Sequence, residues 1–353
     1  MINNLHPQFK LNSHQFKTAD ELISFSKLID VDAFYFLNDW FDKSPYIKVL
    51  TSGSTGFPKE IILKKEHMIN SAIATGKFFD LPENTTALLC LSSKYIAGKM
   101  MLVRAMVLGW DLDIVAPTSN PLKNIYKKFD FCAMVPMQMA SSIEELYKIK
   151  ILIVGGAAVS NSLKKSIQNI KTNVFATYGM TETITHIAVQ KLNNNPTNYF
   201  ECLPKVTVLI DYRSCLVIDA PNITNHRIIT NDIVELIDEN LFIWKGRFDN
   251  VINSGGVKLF PEQIEKELED IIQTRFFIAS EKDELLGNKV ILVIESMPFC
   301  ADDLMNLQHK LKTILSAFKV PKSIYFTPQF FETVSQKIQR KKTLDFILNQ
   351  PKN

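Results

Sequence analysis

Leu50-Thr51-Ser52-Gly53-Ser54-Thr55-Gly56-Phe57-Pro58-Lys59 sets four hydroxyl side chains, two glycines and one lysine in a single turn-prone segment. Tyr46-Ile47-Lys48-Val49-Leu50 precedes it and Ile61-Ile62-Leu63 follows it, so the reading is strand, loop, strand. Such a loop can wrap a polyphosphate. Glycines let the backbone approach the anion, hydroxyl and N–H groups donate hydrogen bonds, and the lysine adds charge. Pro58 before Lys59 separates it from a Walker A loop, which ends in Gly-Lys-Ser/Thr. Taken alone, the same residues also describe an ordinary surface turn.

Outward from this loop, the chain alternates strands and helices. Helical patterns are expected over 19–29, 65–79, 96–108, 137–146 and 160–169. Short apolar strands are expected at 87–91, 112–115, 131–135 and 174–176. Ile151-Leu152-Ile153-Val154 is a continuous apolar run stopped by Gly155-Gly156, typical of a strand covered on both faces. This alternation predicts an α/β layered domain. After about residue 200 the pattern changes to short strands, expected as an appended antiparallel β-subdomain. From Phe260 onward, helices at 261–272 and 301–315 and strands at 276–279, 289–295 and 323–326 read as a small α+β domain. The boundary falls between residues 1–248 and 249–353.

Composition narrows the function classes. The 353 residues suffice for two cores. The chain is 46% hydrophobic and 22% charged, and its net charge of +3 comes from 40 basic and 37 acidic residues. That near balance argues against nucleic acid or a membrane surface as the main partner. The five cysteines are odd in number and widely spaced, which fits a reducing cytoplasm. The six histidines show no metal-ligand spacing. The N-terminal residues lack a signal-peptide pattern. The apolar stretch near 100–115 is broken by Arg104, Asp111 and Asp113, so no membrane span is expected.

Two further segments carry polar groups at informative places. Ala176-Thr177-Tyr178-Gly179-Met180-Thr181-Glu182-Thr183 runs from a strand end into a glycine, threonines and a carboxylate, where an α/β sheet usually places ligands. A glutamate there can hold Mg²⁺ and a tyrosine can stack on a purine; a structural loop reads the same way. Lys245 to Glu265 brings Gly246-Arg247-Phe248-Asp249 and Ser254-Gly255-Gly256-Val257-Lys258 to the expected domain boundary. Such loops serve as hinges or ligand contacts, or as plain linkers.

The three segments, in this order, resemble the adenylate-forming superfamily of acyl-CoA synthetases, adenylation domains and luciferases, from about Tyr46 to about Leu344. The resemblance implies an ATP-dependent acid–thiol ligase that uses Mg²⁺ and, as co-substrate, CoA. The phosphate loop is matched by Thr51, Ser52, Gly53, Ser54, Thr55, Gly56 and Lys59. Tyr178, Gly179, Thr181 and Glu182 match the Tyr-Gly-x-Thr-Glu motif, which implies that Glu182 binds Mg²⁺ and Thr181 contacts the α-phosphate. Thr230-Asn231-Asp232 matches Thr-Gly-Asp with Asn in place of Gly, which puts Asp232 on the ribose with Arg247 nearby. Asp249 matches the hinge, and Ser254, Gly255 and Gly256 match the loop that meets the acyl-adenylate after rotation of a mobile C-terminal domain. Lys337 matches the late catalytic lysine, with Gln336 replacing a glycine. Outside the resemblance, Lys337 with Arg340, Lys341 and Lys342 is simply a basic run.

The resemblance also bears on the acid. Ser92 to Arg104 matches the acyl-pocket helix, and the spacing from Ala97-Gly98 to Arg104 is similar to that of the o-succinylbenzoate–CoA ligases of menaquinone synthesis. It implies that Arg104 pairs with a second substrate carboxylate, and Lys99 is a further basic candidate. A structural salt bridge or a snorkelling arginine is the alternative. Other readings are a stand-alone enzyme loading a carrier protein and a non-catalytic relative; intact Lys59, Glu182, Asp232 and Lys337 argue against the last. Relatives carry a longer segment before the phosphate loop, so a reduced N-terminal subdomain is expected, with homodimerisation as one way to cover its surface.

Overall fold

The computed structural model describes residues 5–51, 59–333 and 338–349. Strands β1 (Lys10–Leu11) and β2 (His14–Gln15) are followed by helices α1 (Ala19–Ser26) and α2 (Val31–Phe41). Each helix starts at a side-chain cap: Thr18 accepts from the Glu21 amide, and Asp30 from the Ala33 amide at 2.6 Å. Strands β3 (Tyr46–Thr51) and β4 (Lys59–Lys64) form an antiparallel hairpin in full register from Tyr46↔Lys64 to Thr51↔Lys59. The phosphate-loop segment is thus bracketed by a paired strand end on each side.

Helix α3 (Lys65–Phe78) leads into the layered body: β5 (Thr86–Leu89), α4 (Ile96–Leu108), β6 (Asp111–Ile114), β7 (Phe129–Met134), α5 (Pro136–Ser141), β8 (Ile149–Val154), α6 (Asn161–Ser166) and β9 (Asn173–Gly179). Strands β6, β5, β7, β8 and β9 pair in parallel in that order. Helix α4 packs against α2, α3, β5 and β6, so it is apolar almost all round and Met100 to Met106 is buried without a break. Gly109, at φ +71°, ends it.

The expected β-subdomain is continuous with this sheet. Strand β10 (His186–Lys191) pairs antiparallel with β9, and β11 (Phe200–Cys202), β12 (Thr207–Ile210), β13 (Cys215–Asp219), β14 (Ile228–Asp238) and β15 (Leu241–Arg247) extend it. The sheet runs β12-β13-β14-β15-β11-β10-β9-β8-β7-β5-β6-β1-β2. It is this continuity that carries residues from β14 and β15 round to the carboxyl end of β9.

Strands β16 (Ile252–Ser254) and β17 (Val257–Leu259), helix α7 (Pro261–Leu268), strands β18 (Phe276–Asp283) and β19 (Gly287–Glu295), helix α8 (Ala301–Ile314), strand β20 (Ser323–Thr327) and helix α9 (Arg340–Leu348) complete the fold. Their buried side chains, among them Ile264, Leu268, Leu292 and Leu311, form clusters of their own, separate from the core around α4 and the large sheet. Between the two parts, the Asn161 amide donates to Glu269 at 2.8 Å, and Lys165 pairs with Asp270 at 2.8 Å.

Four helices end earlier than expected: α1 at Ser26 instead of 29, α7 at Leu268 instead of 272, and the two that follow. The one over 137–146 stops at Ser141 and continues as a 3-10 turn, Ile143–Lys148; at the break the Ser142 hydroxyl donates to Asn120 Oδ1 at 3.1 Å. The one from Ser160 ends at Ser166. There the Gln168 side chain takes the Lys164 carbonyl at 2.6 Å and the Leu192 carbonyl at 2.9 Å, where further helical amides would have bonded.

Candidate active site

Asp232 lies on β14 with its side chain nearly buried, and both carboxylate oxygens are taken. Tyr178, from β9, donates its hydroxyl to Oδ2 at 2.7 Å. The Trp244 indole N–H reaches Oδ1 at 3.2 Å and Arg247 reaches the same oxygen at 3.4 Å. Burial and the adjacent Asp232 carboxylate push the Tyr178 phenol well above its ordinary range, so it acts as a donor only. The Tyr178 ring is packed edge-on to Phe242 at 5.2 Å and beside Phe200 at 5.8 Å. Trp244 was not among the sequence candidates: strict alternation puts residues 244 and 247 on opposite faces, and the register shift in the β14–β15 pairing, from Ile233↔Gly246 to Val234↔Trp244, is not visible in the sequence.

Past Tyr178 the chain turns sharply. A Cβ on Gly179 would stand 2.3 Å from the Thr185 carbonyl oxygen, so the returning backbone needs glycine there. Thr181–Thr183 is a single 3-10 turn that packs against β4, the second strand of the hairpin. Glu182 is exposed and Thr181 half-buried on this turn. Ile184 follows at φ +66°, ψ −60°, with the Thr185 amide bonded to the Thr183 carbonyl at 2.7 Å. That is a γ-turn of the rarer hand, strained for a β-branched residue. It delivers Thr185 and His186 together to Arg104.

Arg104 is 1% exposed on α4. Its donors meet only neutral groups: Thr75 Oγ1 at 3.3 Å, Met101 Sδ at 3.7 Å, and Thr185 Oγ1 and His186 Nδ1 at 3.4 Å each. No carboxylate pairs with it among the described residues, and burial alone pushes the guanidinium down to about 9. It therefore carries a buried, unneutralised positive charge at neutral pH, a costly arrangement unless an anion comes to it. The structural salt bridge open in the sequence is not formed. Lys99, one and a half turns earlier, lies over the Phe36 ring at 4.9 Å near Asp32 and Asp39, and burial lowers its ammonium from the ordinary lysine range. The structure does not bring it to Arg104.

The linker motifs sit beside Asp232. Arg247 spans Asp232 and Asp249, at 3.4 Å to each. Asn231, standing where the motif has glycine, donates to Asp249 at 3.3 Å and accepts from Arg213 at 2.9 Å. Strands β16 and β17 are joined by Gly255 and Gly256 at φ +56° and +82°, a two-residue turn with both positions left-handed. The Gly255 amide bonds to the Leu286 carbonyl at 3.0 Å, and Ser254 is buried. Ser52, Gly53, Ser54, Thr55, Gly56 and Lys337, with the side chains of Thr51 and Lys59, lie outside the described residues. In the basic run, Arg340 grips both Glu265 oxygens at 2.6 and 2.7 Å, so this member is a structural ion pair.

A layered α/β sheet thus carries Tyr178, Asp232, Trp244 and Arg247 in one hydrogen-bonded group, and helix α4 holds a buried cation at Arg104. The AMP-binding enzyme family model matches residues 38–222. An acyl-CoA synthetase (AMP-forming)/AMP-acid ligase II-like protein from Dyadobacter fermentans is 38% identical, with a TM-score of 0.61 over 90% of this chain and 93% of that one. The chain belongs to the AMP-binding enzyme family. It is 24% identical to the 2-succinylbenzoate–CoA ligase of Haemophilus influenzae, over 91% of this chain and 74% of that protein. Its fold is also that of the o-succinylbenzoate coenzyme A synthetase of Bacillus subtilis in complex with ATP and magnesium ion, with a TM-score of 0.73 at 20% identity, covering 84% of this chain and 69% of that one.

Proposed function

We propose that the chain is an ATP-dependent carboxylate–CoA ligase that works through an acyl-adenylate, with o-succinylbenzoate as its acid. The observation that carries the acid assignment is Arg104: a buried guanidinium ringed by neutral acceptors fits a substrate with a second carboxylate. The names of the similar ligases agree with that chemistry.

Two steps follow. The substrate carboxylate attacks the α-phosphorus of ATP and pyrophosphate leaves; the CoA thiol then attacks the acyl carbon and AMP leaves. Both partners in the first step are anionic, so positioning and charge neutralisation dominate. Asp232 is the acceptor for the ribose hydroxyls, with Arg247 and Trp244 holding its Oδ1 and Tyr178 its Oδ2. Thr181 faces the α-phosphate, and the Thr51–Lys59 loop holds the β- and γ-phosphates. Glu182 suits Mg²⁺: one exposed carboxylate is the protein's usual share when phosphate oxygens and water complete the shell. Bound there, the ion neutralises phosphate charge. Lys337 bridges the acid and the α-phosphate in the first step. Residues 249–353 then turn about Asp249 to bring Ser254-Gly255-Gly256 to the acyl-adenylate. No described helix is long and apolar enough to cross a membrane, and a cytoplasmic enzyme is the reading that fits the cysteine usage.

Pyrophosphate exchange into ATP tests the first step. It should require o-succinylbenzoate and Mg²⁺ and proceed without CoA, whereas AMP release should require CoA. Exchange with no acid dependence would sink the proposal.

A further inference from the structure

We propose that His186 is a positioning residue for acid recognition: a neutral acceptor that orients the Arg104 guanidinium without neutralising it. The inference rests on the reading of Arg104 as the anchor for a second carboxylate.

An arginine side chain only donates, so in its 3.4 Å contact with the Arg104 terminal nitrogen His186 Nδ1 presents its lone pair; the Thr185 hydroxyl, also 3.4 Å from Nδ1, can donate to the same atom. The ring is then neutral with its hydrogen on Nε2. Burial and the neighbouring Arg104 charge both hold the imidazole well below its ordinary range, which agrees with that tautomer. Nε2 is buried and has no partner among the described residues. Leaving a buried donor unmade costs stability, and such costs gather at functional sites.

The choice of histidine then has a reason. An aspartate or glutamate at 186 would hold Arg104 more firmly, but it would neutralise the charge that an incoming carboxylate must find. An aliphatic side chain would leave the guanidinium unoriented on that side. A neutral ring acceptor does the one job without undoing the other. The backbone supports the placement: the strained turn at Ile184 sets Thr185 Oγ1 and His186 Nδ1 on the same Arg104 nitrogen, at 3.4 Å each.

The test compares His186→Asn, whose amide oxygen can replace Nδ1, with His186→Asp, which keeps an acceptor but adds a negative charge. Both are assayed by AMP release with o-succinylbenzoate and with benzoate, alongside thermal unfolding. The wild type should prefer the dicarboxylate. His186→Asn should keep that preference within about threefold. His186→Asp should fold with an unchanged or raised melting temperature, yet lose the preference through a rise of about tenfold or more in KM for o-succinylbenzoate, equal to about 1.4 kcal/mol. KM for ATP should not move. A dicarboxylate preference that survives His186→Asp overturns the inference while the proposed function stands. Equal losses with both acids in both variants would also overturn it, showing a merely structural role. A wild type indifferent to the second carboxylate would overturn both.

Discussion

Tyr178 and Asp232 come from different halves of one continuous sheet, and the phenol donates to the carboxylate at 2.7 Å. Asp232 Oδ2 accepts from Tyr178 among the described residues, while Oδ1 is shared by Trp244 and Arg247. Tyr178→Phe should therefore leave one oxygen of a nearly buried carboxylate bare. A hydrogen bond to a charged group contributes about 1.5–3 kcal/mol, so unfolding free energy should fall by roughly that amount. The freed oxygen should also let Asp232 swing, raising KM for ATP more than KM for the acid. Denaturant unfolding and steady-state kinetics on the same variant check both.

His186 sets an acid limit on stability. Its pKa is depressed in the folded protein, so below the unfolded value of 6.5 the unfolded chain takes up a proton that the folded chain does not. Stability is present above that value and declines as pH falls below it, by up to about 1.4 kcal/mol per pH unit for one group. His67 shifts in the same direction and adds to the slope. His186→Asn should flatten the curve below pH 6.5 without abolishing it. An unchanged slope in the variant would show that the ring is not held neutral.

The Gly255–Gly256 turn separates backbone need from contact. A Cβ at Gly256 meets nothing within 4 Å, yet the position is left-handed at φ +82°. Gly256→Ala should cost about 1 kcal/mol of local stability through its backbone alone, and Gly256→Asn less, since asparagine tolerates that region. On the proposed mechanism, both should slow the CoA-dependent step and spare pyrophosphate exchange. Rapid-quench measurement of the two half-reactions distinguishes them.

Arg340 and Glu265 tie α9 to α7 through a bidentate pair next to the amide of Ile278. Removing one partner leaves a largely buried carboxylate without its cation. Arg340→Ala should destabilise by about 3 kcal/mol or more, in the range for a broken buried pair. Urea unfolding should show the loss.

The sequence was most legible where a pattern is local. The helical spacing from Ile96 to Leu108 gives α4 with its observed ends, because the segment is apolar apart from Lys99 and Arg104 and is stopped by Gly109. The run Ile151–Val154 is a strand covered on both faces for the same reason. Less legible was what long-range pairing decides. The antiparallel strands after residue 200 join the main sheet through β9 and β10, which no local pattern announces. The partners of Arg104 come from α3 and from residues 185–186, so Thr75, Thr185 and His186 carry no sequence signal of their role. Helix α9 went unread because its first turn is a basic run with no apolar spacing of its own, whereas Arg340 turns inward to Glu265.

The central claim is that Arg104 waits for a second carboxylate. The most direct test is AMP release from ATP, Mg²⁺ and CoA with o-succinylbenzoate, benzoate, succinate and a medium-chain fatty acid, for the wild type and for Arg104→Ala. The account predicts turnover with o-succinylbenzoate far above the other acids, lost in Arg104→Ala while ATP binding is retained. Equal or faster turnover with a monocarboxylate, unaffected by Arg104→Ala, would contradict it.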